Sequence, residues 1–206
     1  MSSALPWIPE RKTLPVLQKA VQACHGCDLY LHATQAVFGE GPPKAKIFMI
    51  GEQPGNDEDL KGHPFVGPAG KLLNRALDDS SIDRAEVYVT NAVKHFKFEE
   101  RGKRRIHSKP GANEINACRP WLEAEIQVVQ PKIVVCLGAT ASQTVLGRNF
   151  RLTKDRGTPF AHAWASHVLA TIHPSAILRI TNPDERHAEY ERFVADLSRV
   201  SALLAA

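Results

Sequence analysis

No stretch of this 206-residue chain approaches the roughly 20 consecutive apolar residues that a membrane-spanning helix needs. The opening residues, Met1-Ser-Ser-Ala-Leu-Pro-Trp-Ile-Pro9, lack a positive flank followed by an apolar run. No signal peptide is therefore expected, and the expected location is the cytoplasm. No Gly-x-Gly-x-x-Gly follows any run that reads as a strand, which argues against a dinucleotide-binding enzyme. Gly67-Pro-Ala-Gly-Lys71 is not a phosphate-binding P-loop either, because Phe65 stands where that motif needs Gly and Leu72 where it needs Ser or Thr. Internal repeats and low-complexity segments are absent.

Cysteine is scarce. The chain has 4, and in a reducing compartment these are poor disulfide candidates. Cys24-His-Gly-Cys27, Cys118 and Cys136 together make the count for one four-cysteine metal or iron–sulfur site. A second reading stays open for Cys136, which lies in the apolar run 132–138 and could pack as a small hydrophobe. Haem attachment is excluded, since Asp28 and not His follows Cys27.

Charge of one sign is scarce everywhere but in one place. The chain carries a net +4, yet residues 94–109 alone hold seven Lys or Arg against two Glu, a local +5. A basic loop of that density marks a polyanion site, most often a nucleic-acid backbone. Composition alone also fits an ordinary solvated loop, so the remainder of the chain has to decide. Within the loop lie Lys103, Arg104, Arg105, Lys109 and a single imidazole between them, His107.

Apolar periodicity supplies the frame. Residues 11–24 put Leu14, Leu17, Val21 and Cys24 on one helical face. Short β-branched runs predict strands at 46–51, 86–91, 132–137 and 167–172. Helices are predicted at about 69–79, 112–129, 139–146 and 184–204, and His173-Pro-Ser opens a further short one. Residues 52–59 read as a Gly/Pro loop crowded with carboxylates, and 148–166 as a hairpin or an irregular segment. Strands alternating with helices imply an α/β fold, three-layer α/β/α with a central, mostly parallel four-stranded sheet. The expectation is a single domain over 1–206 with a basic loop insertion at about 94–111. Ligands of such sheets bind beyond the carboxyl ends of the strands. That edge collects Glu52 and Gln53, Asn91 and His173, and the His107 loop hangs from the second strand.

These residues carry a specific likeness. Gly51-Glu52-Gln53-Pro54-Gly55, Pro64-Phe65-Val66-Gly67-Pro68-Ala69-Gly70, Asn91 and His173-Pro174-Ser175 resemble the motifs of the iron–sulfur uracil-DNA glycosylases. Lys103-Arg104-Arg105-Ile106-His107 is similar to the extra loop of the UdgX-type subgroup, whose members excise uracil and become covalently attached to the abasic site. The resemblance implies a uracil-DNA glycosylase-like fold and a [4Fe-4S] cluster on Cys24, Cys27, Cys118 and Cys136, structural in role. It also implies uracil-containing DNA as partner, with single strands preferred, and a monomer. Asn56 stands where relatives often carry an acid.

The chemistry of the residues fits that expectation. Asn91 offers one donor and one acceptor, matching uracil O4 and N3–H, whereas cytosine inverts the pattern. Phe65 is a platform for an extruded ring or, alternatively, core. His173 and backbone N–H groups near Gln53 suit the negative charge that develops on the departing base. His107 then bonds to C1′ of the deoxyribose in place of water, and Glu52 accepts the imidazole's other proton, leaving a neutral adduct. Lys103, Arg104, Arg105 and Lys109 contact phosphates, or hold the loop to the sheet through Asp57 or Asp59; Arg179 braces the loop or the DNA. Two alternatives remain open: a glycosylase that releases both products, and a non-catalytic nucleic-acid-binding protein with a four-cysteine metal site.

Overall fold

Ile47 and Met49 face one side of the central sheet and Phe48 and Ile50 the other, the period-two alternation of a strand with helices on both faces. The structure is a computed structural model that describes residues 2–205. Its sheet runs β2 (Val87–Asn91), β1 (Ile47–Gly51), β5 (Ile133–Leu137), β7 (Ala165–Thr171), β6 (Phe160–His162). The first four strands are mutually parallel, and β6 pairs antiparallel with β7.

One face of the sheet is covered by α3 (Pro68–Asp79), α7 (Pro174–Leu178) and α8 (Pro183–Ala205), through Leu73, Leu77, Ile177, Phe193 and Leu197. The other is covered by α4 (Ala112–Val129) and α5 (Ala139–Leu146), through Leu122, Ile126, Ala141 and Val145. A third cluster joins α1 (Leu14–Val21) to the outer side of α4 around Trp121, Leu17 and Cys118. These are the three layers expected.

The sheet has five strands, not four. The extra strand lies in the segment read as hairpin or irregular, after a short helix α6 (Leu152–Asp155). At three residues, half-exposed and paired only to β7, it has no continuous apolar run to announce it. The carboxylate-rich loop also differs from expectation, since Asn56–Lys61 forms a helix, α2. Asp57, Glu58 and Asp59 occupy its first turn, where negative charge favours the helix dipole. The basic loop is a two-stranded ribbon, β3 (Phe98–Arg101) and β4 (Arg104–His107), joined by the two-residue turn Gly102-Lys103. Among the described residues no helix is long and apolar enough to cross a membrane.

From β1 the chain crosses to β2 on one side, and it later returns to β5 on the other. The carboxyl ends of β1 and β5 therefore flank the switch point at which open α/β sheets bind ligands.

Candidate active site

Gly51 closes β1 and leaves space that two side chains use. A Cβ there would lie 2.3 Å from Asn91 Oδ1 and 2.9 Å from Phe65 Cζ, so only glycine lets the amide and the ring converge. Asn91 is the residue opposite Gly51 on β2, which sets its amide at this edge. Phe65 has φ 55°, a left-handed conformation that a bulky residue seldom adopts. The first turn of α3 packs onto its backbone so closely that a Cβ on Gly70 would fall 1.6 Å from the Phe65 carbonyl oxygen. The Phe65 ring is thereby presented to His173, with centroids 6.0 Å apart and planes at 27°.

His173 follows β7 and caps α7, where its Nδ1 accepts from the Ser175 N–H at 3.2 Å. That bond leaves the ring proton of the neutral tautomer on Nε2. Burial lowers its pKa to about 4, the nearby Glu52 carboxylate opposing and Arg179 and His107 assisting, so the ring is neutral at pH 7. Glu52 lies at the switch point, bonded by the Thr140 hydroxyl at the start of α5 and by His107 Nε2, 3.1 Å from Oε1. Burial pushes the Glu52 carboxyl up. Hydrogen bonds from His107 and Thr140, with the charges of His107 and Lys109, more than offset this and hold it below the usual carboxylate value.

The ribbon that carries His107 is held at both ends. At its base, the Gln53 amide donates to the carbonyls of Lys97 and Ser108, each at 3.1 Å, and accepts from the Lys97 N–H at 3.1 Å. The Gln53 side chain is thus committed to the ribbon, and its backbone is what remains for a base, the part expected to serve one. Along β4, Arg105 is anchored on Asp59, Nη1 to Oδ2 2.6 Å, and on Asn56, Nε to Oδ1 2.9 Å. Its guanidinium lies over Phe98, 4.9 Å from the centroid, and Phe96, 5.6 Å. Arg105 is therefore a brace, whereas Lys103, Arg104 and Lys109 are exposed beside it. Arg179 is also exposed and donates to the Ser175 hydroxyl at 3.2 Å.

A separate small cavity is lined by Cys24, Cys27, Cys118, His95 and Trp121 among others. N–H groups already point at its sulfurs. Trp121 Nε1 lies 3.2 Å and the Gly26 nitrogen 3.4 Å from Cys24 Sγ, and the Lys94 nitrogen lies 3.2 Å from Cys118 Sγ. Such donors suit thiolate ligands of an iron–sulfur cluster. No three His, Cys, Asp or Glu side chains among the described residues converge closely enough to hold one metal ion. Cys24, Cys27, Cys118 and His95 border one small cavity. Cys136 is not among them. It sits mid-sheet, paired with Ile50 and Ala170, with its side chain in the cluster of Leu122 and Ala141.

The profile of the uracil DNA glycosylase superfamily matches residues 38–198. The chain belongs to that superfamily. Among its relatives, the type-4 uracil-DNA glycosylase of Thermotoga maritima is 39% identical over 167 residues, covering 81% of this chain and 83% of the relative. That of Sulfurisphaera tokodaii is 37% identical over 189 residues, 88% of this chain and 82% of its own length. That of Archaeoglobus fulgidus is 33% identical over 174 residues, 81% and 84%.

Two members of this glycosylase-fold site escaped the sequence reading. His95 borders the cysteine cavity, and burial lowers its pKa to about 4, so it is neutral there. The only signal for it in the sequence was a position just past a predicted strand, in a segment dominated by cationic residues. Glu58 is buried and accepts from the N–H groups of Gly55, 3.1 Å, and Gly67, 2.8 Å. It thus fastens the Glu52 loop to the Phe65 loop. One carboxylate among four acids in residues 52–59 could not be singled out by pattern.

Proposed function

We propose that this chain excises uracil from DNA, with single strands preferred, and that His107 then bonds to C1′ of the resulting deoxyribose. Uracil leaves its stack and lies against Phe65, with its O4 and N3–H read by the Asn91 amide. The C1′–N1 bond breaks with its electron pair departing on the base. His173, neutral and protonated on Nε2, donates to the negative charge that spreads to O2. The sugar becomes an oxocarbenium-like cation, and a lone pair of His107 forms the new C1′–N bond. The imidazolium so formed gives its other proton to Glu52, leaving a neutral alkylimidazole, a poor leaving group. Lys103, Arg104, Lys109 and Arg179 contact the phosphates.

The observation that carries this reading is the His107–Glu52 pair, 3.1 Å apart at the switch point on a ribbon braced by Arg105. A denaturing gel after incubation with a uracil-containing single-stranded oligonucleotide tests it, followed by intact-mass measurement and peptide mapping. A band shifted by the mass of the oligonucleotide, mapped to His107, is the expected result. Free abasic DNA with an unshifted protein gives the second reading, a glycosylase that turns over. That reading draws support from the type-4 uracil-DNA glycosylases to which the chain is similar.

Of the cysteine cavity we infer that it holds a [4Fe-4S] cluster on Cys24, Cys27 and Cys118, with His95 as the fourth group in place of Cys136. When bound, the cluster supplies a cross-link between the N-terminal segment, the end of β2 and α4, with no part in breaking the glycosidic bond. The protein parts serve that role by burying the sulfurs and directing N–H groups onto them. Iron and acid-labile sulfide in a 1:1 ratio are expected, retained in Cys136→Ala and lost or reduced in His95→Ala; stoichiometric zinc alone would reject the assignment.

A further inference from the structure

Beneath Asn91 lies a fully buried cation with no part in the chemistry above. Lys94 and Glu125 are both 0% exposed and form an ion pair. Burying two charges costs several kcal/mol per ion before their attraction is counted, and apolar residues of the same volume usually pack there as well or better. Filling space is therefore not a sufficient reason for this pair.

The partners of the ammonium supply one. Lys94 Nζ donates to Thr90 Oγ1 at 2.6 Å and to the Asn91 carbonyl at 2.9 Å. Glu125 in turn accepts from the Tyr88 hydroxyl, 3.0 Å, the Thr90 hydroxyl, 3.0 Å, and the Gly39 N–H, 2.9 Å. At the end of β2 the chain turns out of the sheet. The next two N–H groups, of Ala92 and Val93, bond to Gly51 and Glu52, and the Asn91 carbonyl is satisfied by the ammonium. Lys94 is itself pinned at its other end, its backbone N–H on Cys118 Sγ and its carbonyl accepting from Val37. One residue thus ties the wall of the cysteine cavity to the peptide that carries the Asn91 amide.

We propose that Lys94 is a positioning residue for base recognition: its buried ammonium, neutralised by Glu125, holds the Asn91 peptide so that the side-chain amide meets the base in one orientation. This rests on the reading of Asn91 as the group that recognises uracil. Without the ammonium the Asn91 carbonyl is a buried orphan, and the peptide is free to rotate toward another donor.

The test measures base preference, which a general loss of stability leaves unmoved. The holoprotein is titrated with two single-stranded oligonucleotides identical but for one residue, 2′-fluoro-2′-deoxyuridine or 2′-fluoro-2′-deoxycytidine, which resist cleavage. Lys94→Met/Glu125→Leu removes both charges together. Lys94→Met/Glu125→Gln, which keeps acceptors for Tyr88 and Gly39, takes its place if the first does not fold. Asn91→Ala runs in parallel. The expected result is a uracil preference at least fivefold smaller in the paired variant and in Asn91→Ala, with affinity for the cytosine strand unchanged. Unchanged preference in the paired variant, with a loss in Asn91→Ala, overturns the role of Lys94. Unchanged preference in both overturns the assignment of Asn91, and the proposal with it.

Discussion

Arg105 and His107 lie two residues apart on β4 and turn toward the same side of the ribbon, the first onto Asp59 at 2.6 Å and the second onto Glu52 at 3.1 Å. Period-two geometry makes the anchoring of one the aiming of the other. Arg105→Met should therefore reduce adduct formation more than uracil release. It should also cost on the order of 3 kcal/mol of stability, because Asp59 is left as a buried carboxylate without its cation. Gel quantitation beside thermal melts checks both; equal losses of trapping and release would remove the aiming role.

His107→Ala removes the nucleophile and leaves the base pocket intact. The adduct band should vanish, and uracil release should pass from about one equivalent per protein to multiple turnovers as water takes the imidazole's place. Measuring released uracil against time decides it. A persisting adduct would place the bond on another residue.

Salt dependence separates the braced cation from the free ones. Lys103→Ala, Arg104→Ala and Lys109→Ala should each lower the slope of log affinity against log salt by roughly 0.7, the value for one phosphate contact on a single strand. Arg105→Met should leave that slope unchanged, since its guanidinium is already spent on Asp59 and Asn56. Anisotropy titrations at several salt concentrations provide the slopes.

Gly51→Ala adds one carbon where the Asn91 amide and the Phe65 ring meet, 2.3 Å and 2.9 Å away. A displacement of that size at a recognition group costs about 100-fold in rate. Uracil excision should drop accordingly, while stability changes little at a strand end. Wild-type excision in this variant would show that the two side chains are not used together.

The neutral His173 leaves a signature in stability against pH. Burial holds its pKa at about 4 in the folded chain, against about 6.5 when unfolded. Between those values the unfolded chain binds more protons, so this residue makes stability fall as pH drops from about 6.5 to about 4, and contributes no further slope below. His173→Asn should flatten the slope of Tm against pH in that window. Identical slopes would reject a ring held neutral in the folded chain.

The sequence reached as far as local rules extend. Four parallel strands were legible because each contains a short apolar run, buried on both faces throughout β1, β2 and β5 and over the last four residues of β7, and the helices between them keep a 3.6-residue period. Glu52, Asn91 and His173 were legible as a rim because each follows a strand that ends at the same edge. The three-residue β6 was not, since nothing in Phe160–His162 differs from a partly exposed loop until β7 lies beside it. Helix α2 was hidden by its own carboxylates, which look like loop residues until the N-terminal dipole is there to favour them.

By itself, then, the sequence determined the layered α/β frame, the edge that gathers the polar residues, and a dense positive segment carrying the imidazole of His107. Tertiary structure alone decided which side chains meet across that frame. It turned Gln53 into a brace, separated Arg105 from its cationic neighbours, removed Cys136 from the cysteine cavity and brought His95 to it, and set Lys94 under Asn91. Periodicity is fixed by backbone geometry within a few residues and can be read along the chain. A contact such as Lys94 with Glu125, 31 positions apart, or Thr140 with Glu52, 88 apart, depends on how strands register and helices pack, and no local pattern encodes that.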